Sequence, residues 1–252
     1  MRVRSWWYFA LLPVAGLDLS DSAAPFETLA GVLAASGCLG FAYGLNSITD
    51  AGLDRSAAKN PFAGGIEAPW RARLLVAACA GLALVIAFLR SGSPALPATL
   101  ASLVVAFAYS APPRLKAVPF VGTVLNAGIF APLFWLGAPL GSGVLPTVLL
   151  FTGLLLQNQL LHELEDRDED LAAGVVTTAA ILGTRWSRGA VVVVGAAAVL
   201  AVHAVSERAV LAGACIGLAS LTLTQRRARR RHRLAAALSG SVFHIVTVWV
   251  LA

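Results

Sequence analysis

Charge is what this sequence has least of. Acidic and basic residues fill 13% of its 252 positions, against 58% apolar residues and a mean hydropathy of +0.78. A soluble domain carries about 25% charged residues, so the composition excludes an ordinary water-soluble fold and indicates a membrane protein. Cysteine is scarce as well. Cys38, Cys79 and Cys215 stand alone inside apolar stretches, with no CxxC or other metal-ligand spacing, which excludes a disulfide framework or thiolate centre and leaves them as packing residues. No linker is long enough to separate one domain from another. The expectation is one transmembrane domain, 1–252.

What the chain does have is a series of apolar stretches of roughly 17–22 residues, each about long enough to cross a ~30 Å hydrocarbon layer as a helix. Short polar or Pro/Gly-marked connections separate them. Nine spans are expected, over 5–18, 26–46, 72–89, 95–110, 119–137, 143–161, 188–204, 208–224 and 234–252, giving an all-α polytopic bundle. The first segment, MRVRSWWYFALLPVAGLDL, also fits a cleaved signal peptide, which would leave eight spans. The cluster Trp6, Trp7, Tyr8 favours a retained helix anchored at the interface.

Numbering the connections alternately from side to side puts every Lys and Arg on one side except Arg90 and Arg208. Cytoplasmic loops accumulate these residues, so that side is expected to be the inside of a prokaryotic cell membrane. The run QRRARRRHR at 225–233 then reads as an anchor on anionic lipid, not as a nucleic-acid patch.

Acid is concentrated further. Nine of the 13 acidic residues lie in two inside connections, the first with Asp50, Asp54 and Glu67 and the second with Glu163, Glu165, Asp166, Asp168, Glu169 and Asp170. Asn46, Asp50 and Asp54 stand four apart, as do His162, Asp166 and Asp170, so in each set the carboxylates share one helical face. Like charges at that spacing cost ~0.2–0.5 kcal/mol on an exposed helix and more near a membrane, and a compensating cation is expected. A solvated acidic loop would account for one cluster. Two clusters with matched spacing, each against the end of an apolar span on the same side, fit it poorly. Carboxylates and an amide are hard oxygen donors suited to Mg²⁺, which shares its shell with water and phosphate oxygens, whereas the absence of a His/Cys ligand pattern disfavours zinc. The connection YSAPPRLKAVPFVG, 109–122, offers Arg114 for bidentate phosphate contacts and Lys116 as a mobile point charge, on a turn stiffened by Pro112 and Pro113.

In this order and separation, NSITDAGLD, YSAPPRLK and EDRDEDLAAGVVTTAAILG resemble the signature of the UbiA superfamily of intramembrane prenyltransferases, over essentially the whole chain. The resemblance implies nine transmembrane helices around a central cavity, with Mg²⁺ bound by Asn46, Asp50, Asp54, Glu163, Asp166 and Asp170. It implies an allylic isoprenyl diphosphate as donor, with Asn46, Tyr109, Arg114 and Lys116 on the diphosphate, and Asp50, Asp54, Asp166, Asp170 and Lys116 as the catalytic set. The acceptor would be an aromatic, polyene or lipid molecule within the bilayer, and no nucleic acid is expected. Phe130, Phe134 and Trp135 are candidate walls around an allylic cation.

Two positions depart from the family pattern. Ser47 stands where many relatives have Asp, and Gln159 where many have Asp or Glu, leaving Glu163 to act as the extra ligand. A terpene cyclase of the same superfamily is the alternative reading. A non-catalytic transporter is disfavoured, because the carboxylates lie at span ends and not near the midplane. KNPFAGGIE, 59–67, is loosely similar to a segment of lycopene elongases and hints at a polyene acceptor; His244, with Ser239 and Ser241, reads mainly as an interhelical hydrogen bond.

Overall fold

The computed structural model describes residues 6–16, 24–54, 57, 60–90, 94–137, 144–172, 174–221 and 228–246. Arg2, Arg4, Arg55, Lys59, Arg226 and Arg227, which entered the charge count, lie outside them. Among the described residues every regular element is helical. Three helices are long and apolar enough to cross a membrane: Pro25–Thr49, Trp70–Leu89 and Thr178–Val205. The fold is all-α and polytopic, and its helices gather into two compact units.

One unit comprises Met1–Leu115 and Gly128–Leu140. It holds the 3-10 helix Trp7–Gly16, α1 (Ala24–Thr49), α2 (Trp70–Leu89), α3 (Ala95–Ser110) and the 3-10 helix Ala131–Leu136, which follows α4 (Val121–Phe130). Small residues let α1 and α2 pack closely: a Cβ at Gly37 would lie 2.6 Å from the Cys79 carbonyl oxygen. The opposite face of α2 leaves Leu74, Leu75, Leu82, Val85 and Phe88 uncovered, which suits lipid and not water. Trp6 stacks on Tyr43 with ring centroids 6.2 Å apart. Arg90, one of the two cations expected on the outside, lies 2.6 Å from Glu27 Oε2 and donates to the carbonyls of Leu136 and Gly137, holding the end of the second 3-10 helix to α1 and α2.

The other unit comprises Lys116–Ala127 and Gly141–Ala252. Its helices are α5 (Leu145–Ala172), α6 (Thr178–Val205), α7 (Ala209–Ser220) and α8 (Ala228–Ile245). Leu150, Leu154, Val202, Ile216 and Phe243 form its main core. Gly153 brings α5 against α6, since a Cβ there would be 2.3 Å from Ala198 Cβ. Within this apolar packing, Gln157 donates to the Val191 carbonyl at 2.9 Å and its Oε1 lies 3.1 Å from His232 Nε2.

Helix limits depart from the apolar limits in an instructive way. The expected span 143–161 ends where the charges begin, but α5 continues to Ala172. Glu, Leu and Arg are good helix formers, and nothing breaks the helix before Gly174, whose φ is 72°. The second acidic set therefore lies on helix and not in a connection. The span expected at 119–137 divides at Ala131, with Pro132 at the start of the following 3-10 turn.

Candidate functional site

In the first unit, the acidic set begins in the last turn of α1. Asp50 N–H bonds to the Asn46 carbonyl and Asp54 N–H to the Asp50 carbonyl, each at 2.9 Å, so the helical four-residue backbone spacing continues past the helix end. The compensating cation is Arg114. It pairs with the Asp50 carboxylate and donates to the Thr49 carbonyl at 3.2 Å. Arg114 takes a left-handed backbone, φ 60°, a conformation uncommon outside glycine. Asn46 Oδ1 accepts from Ser110 Oγ at 3.4 Å, at the end of α3, and Tyr109 lies half-buried beside it in the sequence. Ser47, the departure from the family pattern, bonds back to the Tyr43 carbonyl at 2.9 Å.

Asn60 is a residue that sequence reasoning missed. It is 1% exposed, and its Nδ2 donates to Asp54 Oδ2 at 2.8 Å and to the Ser47 carbonyl at 2.9 Å, while its Oδ1 accepts from Phe62 N–H at 3.0 Å. The loop then turns back. Gly64 N–H bonds to the Asp54 carbonyl and Gly65 N–H to the Ala51 carbonyl, with φ of 79° and 80° that favour glycine. The segment that hinted at a polyene acceptor is thus built onto the first acidic set. Its signal was the Asn-Pro dipeptide followed by paired glycines, a turn pattern.

In the second unit, α5 carries His162, Asp166 and Asp170. His162 Nδ1 lies 3.1 Å from Asp166 Oδ2. Asp170, beyond the apolar part of the helix, has its carboxyl pushed up to about 6 by burial first and then by Asp166, with His162 opposing and Glu163 and Glu169 adding to the rise. Glu163 is engaged differently. It is buried, and its Oε1 accepts from Thr123 Oγ1 at 2.7 Å and Gln159 Nε2 at 3.3 Å, while Oε2 accepts from Ala179 N–H at 3.3 Å. Lys116 lies half-buried in the short turn Leu115–Ala117. Its carbonyl oxygen would be 2.4 Å from a Cβ at residue 122, so only glycine fits there.

The structure thus brings Asn46, Asp50, Asp54, Tyr109 and Arg114 into one unit, and Lys116, Glu163, Asp166 and Asp170 into the other. Among the described residues no three His, Cys, Asp or Glu side chains gather as a ready metal cage. Magnesium needs none, since it keeps several waters and takes substrate phosphate oxygens; the all-oxygen donor set suits it. Phe130 and Phe134 are buried, with Phe130 packed on Phe9 at 4.5 Å between centroids. His244 Nδ1 lies 3.1 Å from Thr147 Oγ1, joining α8 to α5 as expected.

A family model described as the UbiA prenyltransferase family matches residues 6–247. Solved structures of similar fold include a UbiA homolog from Archaeoglobus fulgidus bound to DMAPP and Mg²⁺, with 20% identity, a TM-score of 0.73, and coverage of 97% of this chain and 96% of that one. The same homolog bound to GPP and Mg²⁺ gives a TM-score of 0.74 at 20% identity, over 96% and 95% of the two chains. An apo UbiA homolog from Aeropyrum pernix K1 gives 0.69 at 20% identity, over 98% and 96%. No curated relative matches the chain.

Proposed function

The chain belongs to the UbiA prenyltransferase family, and from that premise we propose that it transfers an isoprenyl group from an allylic isoprenyl diphosphate to a hydrophobic acceptor within the membrane, with Mg²⁺ as cofactor and diphosphate as leaving group. The bound DMAPP, GPP and Mg²⁺ of the Archaeoglobus fulgidus homolog support the choice of donor and metal. The observation that carries the reading is the pairing of Arg114 with Asp50: a phosphate-binding cation and a metal-binding carboxylate, far apart in sequence, meet at the end of α1.

Asn46, Asp50 and Asp54 in the first unit, and Asp166 and Asp170 in the second, would each bind Mg²⁺, whose Lewis acidity would stabilise negative charge on the departing diphosphate. Arg114, freed from Asp50 when the donor enters, gives its guanidinium to phosphate oxygens, and Lys116 and Tyr109 add further donors. As the allylic carbon–oxygen bond breaks, the electron pair leaves with diphosphate. These donors gain strength as that charge grows, which is transition-state stabilisation. The allylic cation is kept from water by apolar surroundings until the acceptor forms the new carbon–carbon or carbon–heteroatom bond and loses a proton. The Lys/Arg bias supports a cytoplasmic position for the functional segments, and the resemblance supports nine spans in a single domain around a central cavity.

The test is diphosphate release by purified protein given DMAPP or GPP, with and without Mg²⁺, in nanodiscs supplemented with membrane lipid extract. Mg²⁺-dependent release, with radiolabelled isoprenyl transferred to an extract component, is the expected result. A cyclised product formed without any acceptor would identify a terpene cyclase, and absence of both release and donor binding would reject the enzyme reading.

A further inference from the structure

Glu163 sits at the end of a chain of hydrogen bonds whose direction can be worked out. Thr123 Oγ1 lies 2.7 Å from Glu163 Oε1 and 2.7 Å from Thr178 Oγ1, and Thr178 Oγ1 accepts from Phe120 N–H at 2.8 Å. A hydroxyl has one proton to give, and an ionised carboxylate only accepts. Thr123 therefore donates to Glu163, which obliges Thr178 to donate to Thr123. The sequence of donations runs from Phe120 N–H to Thr178, to Thr123, to the carboxylate.

The three side chains of the chain are buried: Glu163 is 8% exposed, Thr123 6% and Thr178 2%. Breaking such a chain leaves polar atoms unsatisfied out of water. The start of the chain is also the strained point, for Phe120 has φ 64°, unfavourable for a bulky residue and sustained only where its surroundings hold it. The turn so fixed is the one that follows Lys116, and the Gly122 backbone packs directly on the Lys116 carbonyl. Both carboxylate oxygens of Glu163 are meanwhile occupied by Thr123, Gln159 and Ala179.

We propose that Glu163 is a positioning residue and not a metal ligand: through Thr123 and Thr178 it pins the strained 116–123 turn to α5 and α6 and so fixes where Lys116 meets the donor diphosphate. This rests on the prenyltransferase reading above, and it separates two roles within one acidic helix. Asp166 and Asp170 would hold the metal, while Glu163, one residue after His162, is bonded into the fold.

The test compares Thr178→Val, Thr178→Ser and Glu163→Gln in the full-length protein. Three quantities are measured: donor KM and kcat, Mn²⁺ affinity by EPR in the presence of inorganic diphosphate, and tryptic cleavage after Lys116. Thr178→Val should raise donor KM and lower kcat, cutting kcat/KM about tenfold, leave Mn²⁺ affinity unaltered and speed the cleavage; Thr178→Ser, which keeps the hydroxyl, should restore all of these. Glu163→Gln can still accept from Thr123 but opposes its amide to Ala179 N–H, so an intermediate KM with normal Mn²⁺ affinity is expected. Loss of Mn²⁺ binding in Glu163→Gln with unchanged cleavage would overturn the proposal in favour of metal ligation, as would wild-type KM and cleavage in Thr178→Val. If Thr178→Val does not fold, the KM and Mn²⁺ affinity of Glu163→Gln decide the question. Faster cleavage in Thr178→Val beside a wild-type protein with no turnover rejects the enzyme reading, and with it the role toward diphosphate, while the pin itself stands.

Discussion

Asn60 Nδ2 lies 2.8 Å from Asp54 Oδ2, and the Asn60 side chain is 1% exposed. An amide buried this completely has its orientation fixed by its partners, here the Ser47 carbonyl and Phe62 N–H as well. Asp54 stands beyond the regular end of α1, where a side chain would otherwise be free to rotate. Supporting hydrogen bonds of this kind orient a carboxylate for a metal.

Asn60→Ala should therefore lower kcat/KM by ~10–100-fold, the range seen when a group supporting a metal ligand is removed, and weaken Mg²⁺ dependence in parallel. Asn60→Asp should do worse by setting a second carboxylate against Asp54. Mg²⁺ titrations of activity, together with thermal unfolding of the metal-free proteins, measure both effects. Unaltered Mg²⁺ dependence in Asn60→Ala would show that the amide serves the loop alone.

Removing any one of Asp50, Asp54, Asp166 or Asp170 by substitution with Ala should abolish turnover without unfolding the protein, because each change takes away a hard oxygen donor while relieving local repulsion. EDTA should have the same effect on the wild type. Normal rates at limiting Mg²⁺ in two of the four variants would remove the metal-site reading.

For Arg114→Ala and Lys116→Ala, donor KM should rise and kcat fall, since contacts to a leaving group strengthen as its charge develops. Acceptor KM should move less. Arg114→Ala carries a second effect: it takes this cation away from the Asp50 carboxylate, so this variant alone should regain thermal stability on adding Mg²⁺. Equal losses toward both substrates would indicate a structural role for the connection.

The pH dependence of stability can be assigned a sign at Asp170. Its carboxyl rises from 3.8 in the unfolded chain to about 6 in the fold, so between those values the folded state binds more protons than the unfolded one. Stability of the metal-free protein should fall as pH rises from about 4 to about 6 and show no further contribution from this group above that range. Asp170→Asn should flatten that slope. Thermal unfolding of the detergent-solubilised, metal-free proteins across pH ~4–8 gives the comparison, and identical slopes would refute the assignment.

Single cysteines at Ala57, Ala117 and Ala172, in a background lacking Cys38, Cys79 and Cys215, should resist a membrane-impermeant thiol reagent in intact cells and react after permeabilisation. A cysteine at Ser93, which lies outside the described residues, should behave in the opposite way. Labelling of Ala57→Cys and Ala172→Cys from opposite sides would mean that the two acidic sets cannot serve one diphosphate.

By itself the sequence determined the class of protein, the bias of its cations and the spacing of its acids. Those features are local: hydropathy sums over one stretch, and the intervals between Asn46, Asp50 and Asp54, or His162, Asp166 and Asp170, follow from the helical repeat. The apolar limit at 161 was not the end of α5, because a change in polarity is not a helix stop, and beyond Gly153 the chain offers no glycine until Gly174. Tertiary structure decided which side chain each acid answers to. Arg114 reaches Asp50 across 64 residues and Thr123 reaches Glu163 across 40; no periodicity records such pairings. Glu163 and Asp166 are three residues apart in one acidic run, yet their surroundings differ: Glu163 is buried among Thr123, Gln159 and Ala179, whereas Asp166 is half-buried with His162 Nδ1 at 3.1 Å. A buried carboxylate must find its hydrogen bonds within the fold, and which groups supply them is set by the packing and not by the local spacing.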